Sequence, residues 1–336
     1  MDVHALGWIA LAAIILTMIT IDVVGHVRTP HEPSMREAAA WSTAYIAMAC
    51  VFGAVVWAVW GGRYGQEYFA GYITEKALSI DNLFVFVIML AAFRVPRAYQ
   101  QEVLLAGIVI ALVLRLAFIL AGAALVERFG AVFYVFGAFL VGTAVRQVVD
   151  ARRGAGGPDD GAEYVDNAVT RLVRRILPTT DGFVGNRLIH RHAGRTMITP
   201  MLIAVVALGS ADLMFAVDSI PAIFGLTSEP FLVFSATAFS LLGLRQLYFL
   251  IDGLLERLVY LPYGLAVILG FIGLKLIDHA LRANSLPFIN GGRPVRLVPE
   301  PSTAVSLLVI VVTLVVVAVA SLLRTRRRGG PGDGRH

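Results

Sequence analysis

The sequence predicts an all-α protein that crosses a membrane about nine times. Of its 336 residues, 58% are hydrophobic and only 15% are charged, whereas about a quarter of the residues of a soluble domain are charged. Apolar runs of roughly 20 residues recur along the chain, and an α-helix needs that length to cross the hydrocarbon core. Runs such as 305–323 are apolar throughout, which favours helices over the alternating strands of a barrel.

Nine apolar runs divide the chain into six regions. The predicted spans are 5–24, 39–60, 68–93, 102–123, 131–149, 198–225, 231–252, 262–281 and 303–323. In chain order the regions are a two-span segment (1–67), a three-span unit (68–149), a basic loop (150–197), a second three-span unit (198–282), a last span (303–323) and a polar tail (324–336).

The basic residues predict the orientation, because they concentrate in short cytoplasmic loops. With the N-terminus outside, the inner loops and the tail hold 19 arginines and the outer loops hold 5. We therefore expect a multi-pass protein of the inner (plasma) membrane with a cytoplasmic C-terminus. The pI near 9.5 then reflects topology, and no folded basic domain suited to nucleic acid is present.

The basic loop contains one amphipathic stretch, from Val165 to Leu177. Apolar residues fall on one helical face and arginines on the other: Val169, Leu172, Val173, Ile176 and Leu177 against Arg171, Arg174 and Arg175. This pattern suits a helix that lies on an anionic leaflet. A cytoplasmic hairpin with a solvated basic face fits it equally well.

Two three-span units resemble each other. Glu75 and Asp81, followed by Asn82, match Asp212 and Asp218, followed by Ser219. Leu-Arg pairs recur in the next spans at Arg115 and Arg245. Because three is odd, the second unit would lie upside down, which predicts a 3+3 inverted-topology repeat with a substrate site near the midplane.

Charged side chains inside the predicted spans are the candidate functional residues. A charge at mid-bilayer costs at least about 2.5–3.5 kcal/mol, so it needs partners or a wet cavity. The acids and bases are Glu75, Asp81, Asp212, Asp218, Lys76, Arg115, Arg245 and Lys275. They could pair only with one another to hold the bundle together. Alternatively, the acids bind a cation, with Arg115, Arg245 and Lys275 as supporting counterions.

The acids of one helix cannot both reach one ion, because residues six apart lie about 120° and about 9 Å apart. A shared site would combine Asp81 and Asp218, with Asn82 and Ser219 as neutral oxygen donors. Pro221 strengthens this prediction, since proline removes the hydrogen bond to the carbonyl of Val217. Such oxygens suit Mg, Ca and Mn, and the lone Cys50 offers no thiol cluster.

Other chemistry finds no support in the sequence. We find no nucleophile elbow, phosphate loop or paired histidines of a metalloprotease, so we expect neither an enzyme nor a prosthetic group. His279 could relay protons, although an interfacial or capping histidine is the simpler interpretation.

Three segments resemble the TerC family, in its Alx-like branch. They are 70–85 (Ala-Gly-Tyr-Ile-Thr-Glu-Lys-Ala-Leu-Ser-Ile-Asp-Asn-Leu-Phe-Val), 212–224 (Asp-Leu-Met-Phe-Ala-Val-Asp-Ser-Ile-Pro-Ala-Ile-Phe) and 241–249 (Leu-Leu-Gly-Leu-Arg-Gln-Leu-Tyr-Phe). The resemblance runs over residues 36–281 and implies manganese export, a link to alkaline or metal stress and a tie to tellurite resistance. It carries over Glu75, Asp81, Asp212 and Asp218. One departure is Gly209, where many relatives have a glutamate.

Two functions from different classes remain open at this point. The first is a secondary transporter that exports a divalent cation, Mn²⁺ above all, which a carboxylate cluster could exchange for protons. The second is a non-transporting membrane scaffold that gathers stress-response or secretion partners on its basic loop. The expected partners are a divalent cation and the lipid bilayer, and both functions are compatible with a homo-oligomer or with other membrane proteins.

Overall fold

A computed structural model describes residues 1, 3–27, 34–153, 170–172, 175, 178–180, 182–185, 187–192, 195–251, 259–284, 289–295, 299 and 301–328. The side chain of Asp81 lies outside this description. Most of the predicted amphipathic stretch, including Val169, Val173, Arg174, Ile176 and Leu177, also lies outside it.

Nearly all of this part of the chain is helical, as the sequence predicted. The helices are α1 (Ala5–Asp22), α2 (Met35–Trp60), α3 (Gly62–Ala92), α4 (Arg97–Arg128), α5 (Val132–Arg153), α6 (Pro200–Phe224), α7 (Pro230–Leu242), α8 (Leu244–Ile251), α9 (Leu261–Arg282) and α10 (Thr303–Arg328). A π-helical turn (Val23–Val27) continues α1, and a 3₁₀ turn (Asn290–Gly292) precedes α10.

The sequence did not predict a small hairpin that precedes α6. Strand β1 (Ile189–His192) pairs antiparallel with β2 (Arg195–Ile198), with Ile189 opposite Ile198 and His192 opposite Arg195. The two strands, Ile-His-Arg-His and Arg-Thr-Met-Ile, have four residues each, which is too short for a periodic pattern to be detected in the sequence.

Local sequence signals mark where several helices begin. Ser34 accepts a hydrogen bond from the backbone N–H of Glu37 (3.2 Å) at the start of α2, which is half of a capping box. Helices α6 and α7 begin with Pro200 and Pro230; proline suits a first turn because its missing N–H would be unpaired there. In contrast, α6 runs through Pro221 without ending.

Eight candidate spans are long and apolar enough to cross a bilayer among the described residues. The predicted span that is not among these eight is 68–93, which corresponds to α3. With 31 residues, α3 is about 46 Å long at 1.5 Å per residue, but its five charged residues between Arg63 and Asp81 lower its hydropathy. Helices α7 and α8 together form a single candidate span, Pro230–Leu250, interrupted at Gly243.

Helix α3, which carries five charged residues, lies at the centre of the bundle. It packs against α2, α6, α7 and α10, and α4 packs against α6. Every residue of α7 from Phe231 to Leu242 is buried, whereas α10 leaves apolar side chains such as Leu308 and Val316 exposed. Other helices therefore surround α3, and apolar side chains of α10 face outward.

Helices α5 and α9 form the most extensive helix pair. At Gly137 of α5, an added Cβ would lie 2.7 Å from the carbonyl oxygen of Gly273 on α9. The two backbones therefore meet directly, which is how small residues allow close packing in membranes. This contact joins the last helix of the first predicted unit to the last helix of the second, while the repeat itself stays a prediction.

Candidate functional site

Arg115 of α4 is the centre of a buried charged cluster. Its Nε donates to Oδ2 of Asp212 (2.8 Å) and its Nη2 donates to Oδ1 of the same carboxylate (3.2 Å). Its Nη1 donates to Oε1 of Glu75 and to Oγ of Ser219 (3.1 Å). The cluster thus joins α3, α4 and α6, and the two-point contact with Asp212 is the strong form of an arginine–carboxylate pair.

The cluster carries more negative than positive charge when both acids are ionised. The side chains of Arg115 and Glu75 have no exposed surface, and that of Asp212 is 3% exposed. Within the described residues, Oε2 of Glu75 has no hydrogen-bond partner. A buried carboxylate oxygen without a partner is costly, so this position calls for a proton or a cation.

The remaining predicted ligands lie further along the same two helices. Asp218 is partly buried, six residues after Asp212 on α6, or about 9 Å along the axis. Asn82 is buried on α3 and follows Asp81, whose side chain lies outside the description. Ser219 is already bonded to Arg115. The meeting of Asp81 and Asp218 at one ion therefore stays a prediction.

Among the described side chains, Arg245 of α8 bonds an acid that the sequence analysis did not select. Its Nη2 donates to Oδ1 of Asp22 on α1 (2.6 Å), and the hydroxyl of Tyr45 on α2 donates to the same oxygen (2.6 Å). All three residues are buried. Among the described side chains, Arg245 therefore bonds Asp22 and neither Glu75 nor Asp212, which corrects the prediction that it is a counterion of those two acids.

Sequence analysis missed Asp22 and Glu67. Asp22 ends an uninterrupted apolar run, so the rule that ionisable residues in spans have specific partners could have found it. Glu67 of α3 is buried, accepting a hydrogen bond from Oγ1 of Thr227 (2.7 Å) and one from Nε of Arg63 (2.9 Å). Its position just before a predicted span gave no such signal.

Lys275 and His279 of α9 lie away from the Arg115 cluster. Nζ of Lys275 donates to Oγ of Ser306 on α10 (3.2 Å). His279 packs edge-on against Phe133 of α5, with 4.9 Å between ring centroids. Both residues therefore join α9 to its neighbours, and Lys275 is not seen beside Glu75 or Asp212.

Comparison with known proteins identifies the family. The model of the integral membrane protein TerC family matches residues 60–329. The chain belongs to the TerC family. An uncharacterized membrane protein of Mycobacterium tuberculosis is 50% identical over 92% of this chain and 77% of its own length. No solved structure matches the chain.

Two further relatives cover most of this TerC-family chain. An uncharacterized membrane protein of Myxococcus xanthus is 38% identical over 95% of the chain and 92% of its own length. A protein of Escherichia coli K12, named "Putative membrane-bound redox modulator Alx", is 36% identical over 80% of the chain and 85% of its own length. These matches support the resemblance to Alx, while manganese export stays a prediction.

The structure explains what Gly209 does in place of the glutamate that the resemblance implies. An added Cβ would lie 2.9 Å from Cγ2 of Ile110 on α4. Gly107, one turn earlier on α4, lies equally close to α6: its Cβ would meet Cβ of Leu208 at 3.2 Å. The missing side chain thus lets α4 approach α6 one turn before Asp212 and brings Arg115 within reach of that acid.

A complete metal site is not formed by the described side chains. Among them, no group of three or more histidine, cysteine, aspartate or glutamate residues is arranged to hold a metal ion. Arg115 lies between Glu75 and Asp212 and bonds both, so these acids reach an ion together only if the guanidinium moves.

Proposed function

We propose that this TerC-family protein is a secondary transporter that exports a divalent cation, with Mn²⁺ as its preferred cargo. The observation that carries the proposal is the buried cluster of Glu75 and Asp212 against Arg115, with an oxygen of Glu75 that has no partner among the described residues. A fold stabilised only by ion pairs would gain nothing from an excess carboxylate. A transport protein needs an excess carboxylate, because the cargo cation or a proton binds there and supplies the positive charge that the cluster lacks.

The composition of the site favours a hard cation. Glu75, Asp81, Asp212 and Asp218 supply carboxylate oxygens, and Asn82 and Ser219 supply neutral oxygens. Carboxylate, carbonyl and water oxygens suit Mg, Ca and Mn. We infer that Asp81 and Asp218 bind the ion. The Arg115 cluster, on α3, α4 and α6, lies beside it and takes up the exchanged protons.

Metal uptake into proteoliposomes across a panel of divalent cations tests the proposal. We expect Mn²⁺ uptake that Asp81→Asn or Asp218→Asn abolishes, because each change keeps the shape of the side chain and removes a charge that the ion needs. The matched control is Asp150→Asn, whose carboxylate pairs with Arg146 at 3.5 Å on the exposed surface of α5. Near-normal transport by only one site variant would rule out a shared ion.

Cells provide a second test of the cargo. Cells that express the protein should hold less manganese under a manganese load than cells expressing the Asp218→Asn variant at the same level. If another metal falls instead, the cargo assignment is wrong. If no metal is transported in cells or in proteoliposomes, the transport hypothesis is wrong and the result supports the scaffold function.

The name of the Alx relatives suggests a redox role as an alternative. This chain has one cysteine, Cys50, which lies exposed on α2. A single cysteine cannot form a disulfide within the chain, so the dithiol exchange of redox proteins is not available to one copy. The buried carboxylates have no role in that alternative, and the transport function uses them directly.

The proposed orientation has the N-terminus outside and the basic loop inside the cytoplasmic membrane. The 19-to-5 distribution of arginines motivates it. A cysteine placed at Gly182, which is exposed in the loop, in a Cys50→Ser background should react with an impermeant thiol reagent only after the cells are opened. Labelling in intact cells would refute the orientation.

A further inference from the structure

Helices α7 and α8 meet at a break that lies inside the protein. Together they form one candidate span, Pro230–Leu250, but α7 ends at Leu242 and α8 begins at Leu244. Backbone carbonyls at the end of a helix lack their usual partners, and the helix dipole places partial negative charge there. Every residue from Phe231 to Leu242 is buried, so bulk water is not at hand to satisfy these carbonyls.

The side chain of Lys76 from α3 enters this break. Its Nζ donates to the backbone oxygen of Ser240 (3.3 Å). The same Nζ lies 2.9 Å from the place that a Cβ on Gly243 would occupy. The ammonium group therefore lies against the backbone of Gly243, in space that a Cβ there would share.

The described oxygen that contacts the ammonium group is the backbone carbonyl of Ser240, and further oxygens lie near that carbonyl. The hydroxyls of Ser79 and Ser240 lie 3.4 Å apart, beside the carbonyl that Lys76 bonds. The carbonyl of Phe239 lies 3.6 Å from the Cβ position of Gly243 and accepts a hydrogen bond from the backbone N–H of Gly243 (3.4 Å). Within the described part of the chain, no acid forms a salt bridge with Lys76. Asp22, the acid of the neighbouring cluster, bonds Arg245.

Burying a charged ammonium group costs more free energy than one hydrogen bond to a carbonyl requires. A neutral amide would donate the same hydrogen bond without the desolvation cost of a charge. Carbonyls at the ends of interrupted membrane helices are, however, the groups that coordinate small monovalent cations in transporters. An ammonium group carries the same charge and is close in size to a potassium ion.

We propose that the break between α7 and α8 is a monovalent-cation site that Lys76 fills with its own ammonium group. The site uses different residues from the carboxylate cluster and does not depend on the identity of any cargo. Its consequence is specific: removal of the ammonium group should create a requirement for a free monovalent cation that the wild-type protein lacks.

Thermal unfolding of the purified full chain in detergent tests this proposal. The wild-type protein and Lys76→Ala are compared in NaCl, KCl and N-methylglucamine chloride at equal ionic strength. We expect the wild-type Tm to be the same in all three salts. Lys76→Ala should unfold a few degrees higher in NaCl or KCl than in N-methylglucamine chloride, because a cation that binds only the folded state stabilises it.

Lys275→Ala is the matched control, because Lys275 also lies in a span and donates to an oxygen, Oγ of Ser306, but occupies no helix break. It should show no difference between the salts. Lys76→Gln is the second variant if Lys76→Ala is not recovered, and purification in NaCl, KCl and N-methylglucamine chloride is then compared. A variant recovered only with Na⁺ or K⁺ supports the site. Equal Tm values in all salts, or failure to recover either variant in any of them, would overturn it.

Discussion

The two arginines that occupy matching places in the predicted repeat have different surroundings. Arg115 bonds two acids, Glu75 and Asp212, and an acceptor oxygen of Glu75 is left over. Arg245 bonds Asp22, whose oxygen also accepts from Tyr45. The first cluster carries excess negative charge when both of its acids are ionised, and the second joins Arg245 to Asp22 and Tyr45. The two arginines therefore occupy matching positions in the sequence but have different partners in the structure.

The two clusters also differ in their position relative to the part of the chain that matches the family model. Glu75, Arg115 and Asp212 all lie within residues 60–329, the part that matches the family model. Asp22 and Tyr45 lie before it, so the N-terminal helices α1 and α2 supply the partners of Arg245. We infer that the second cluster attaches this N-terminal pair to the family domain, whereas the first provides the charge for binding.

The largest expected effect is that of Arg115→Gln. This change leaves two buried carboxylates facing each other without a counterion, and removal of one partner of a buried ion pair costs about 3–5 kcal/mol. Thermal unfolding in detergent measures the loss. Arg146→Gln is the control, because its exposed pair with Asp150 is worth about 1 kcal/mol or less. Equal stability of the two variants would contradict the central role of Arg115.

Arg245→Gln should cost somewhat less, about 3 kcal/mol, because it removes the guanidinium that bonds Asp22 but keeps the hydrogen bond from Tyr45. A second change, Asp22→Asn, should recover part of this loss, because both charges of the ion pair are then absent. In the double-mutant cycle we expect a coupling of about 1–3 kcal/mol. The corresponding rescue of Arg115→Gln by Glu75→Gln should be incomplete, because the guanidinium that bonds Asp212 is still missing. Full rescue there would make the two clusters equivalent.

A third effect concerns the helix contact that brings Arg115 to Asp212. Gly209→Ala places a methyl group 2.9 Å from Cγ2 of Ile110, and a β-branched side chain has little freedom to move away. We expect a cost of about 1–3 kcal/mol, measured as a lower Tm and partly recovered by Ile110→Ala.

Gly142→Ala on α5 is its control, because no atom lies within 4 Å of the added Cβ. Alanine has the better helix propensity there, so this variant should be as stable as the wild type or more so. If Gly209→Ala behaves in the same way, α4 and α6 are not held at their closest approach by this glycine.

The sequence was sufficient to predict the helical class and the charged residues that matter. Apolar runs of membrane-spanning length located the helices, and the rarity of charge in such runs selected Glu75, Arg115 and Asp212 before their contacts were known. Both signals are local, because they depend on how each segment interacts with lipid rather than with other segments.

The pairing of these charges could not be predicted, because it depends on how helices distant in sequence pack. Arg245 could have reached Asp212 by symmetry, yet α8 packs against α2 and bonds Asp22, 223 residues away. The break at Gly243 was missed for a similar reason. The glycine was visible in the sequence, but the lysine that fills the space beside it comes from α3, 167 positions earlier.

The smallest effect on stability should come from Glu75→Gln, although its effect on transport should be among the largest. Glutamine keeps the acceptor oxygen that Arg115 bonds, and its amide replaces Oε2, which has no partner among the described residues. The cluster becomes neutral, so Tm should correspond to a change within about 1 kcal/mol of the wild-type value. Metal uptake should nevertheless fall, because the excess charge is gone.

Asp212→Asn is the isosteric change that sharpens this last prediction. Both oxygens of Asp212 accept from Arg115, so an asparagine amide would point a donor at a donor and remove the charge opposite the guanidinium. We expect a loss of about 2–3 kcal/mol, clearly more than for Glu75→Gln. The two acids thus separate by role: Asp212 holds Arg115 in place, and Glu75 carries the charge available to a cation or proton. If Glu75→Gln destabilises the protein as much as Asp212→Asn does, Glu75 is a structural partner of Arg115, and the excess charge is not held at its carboxylate.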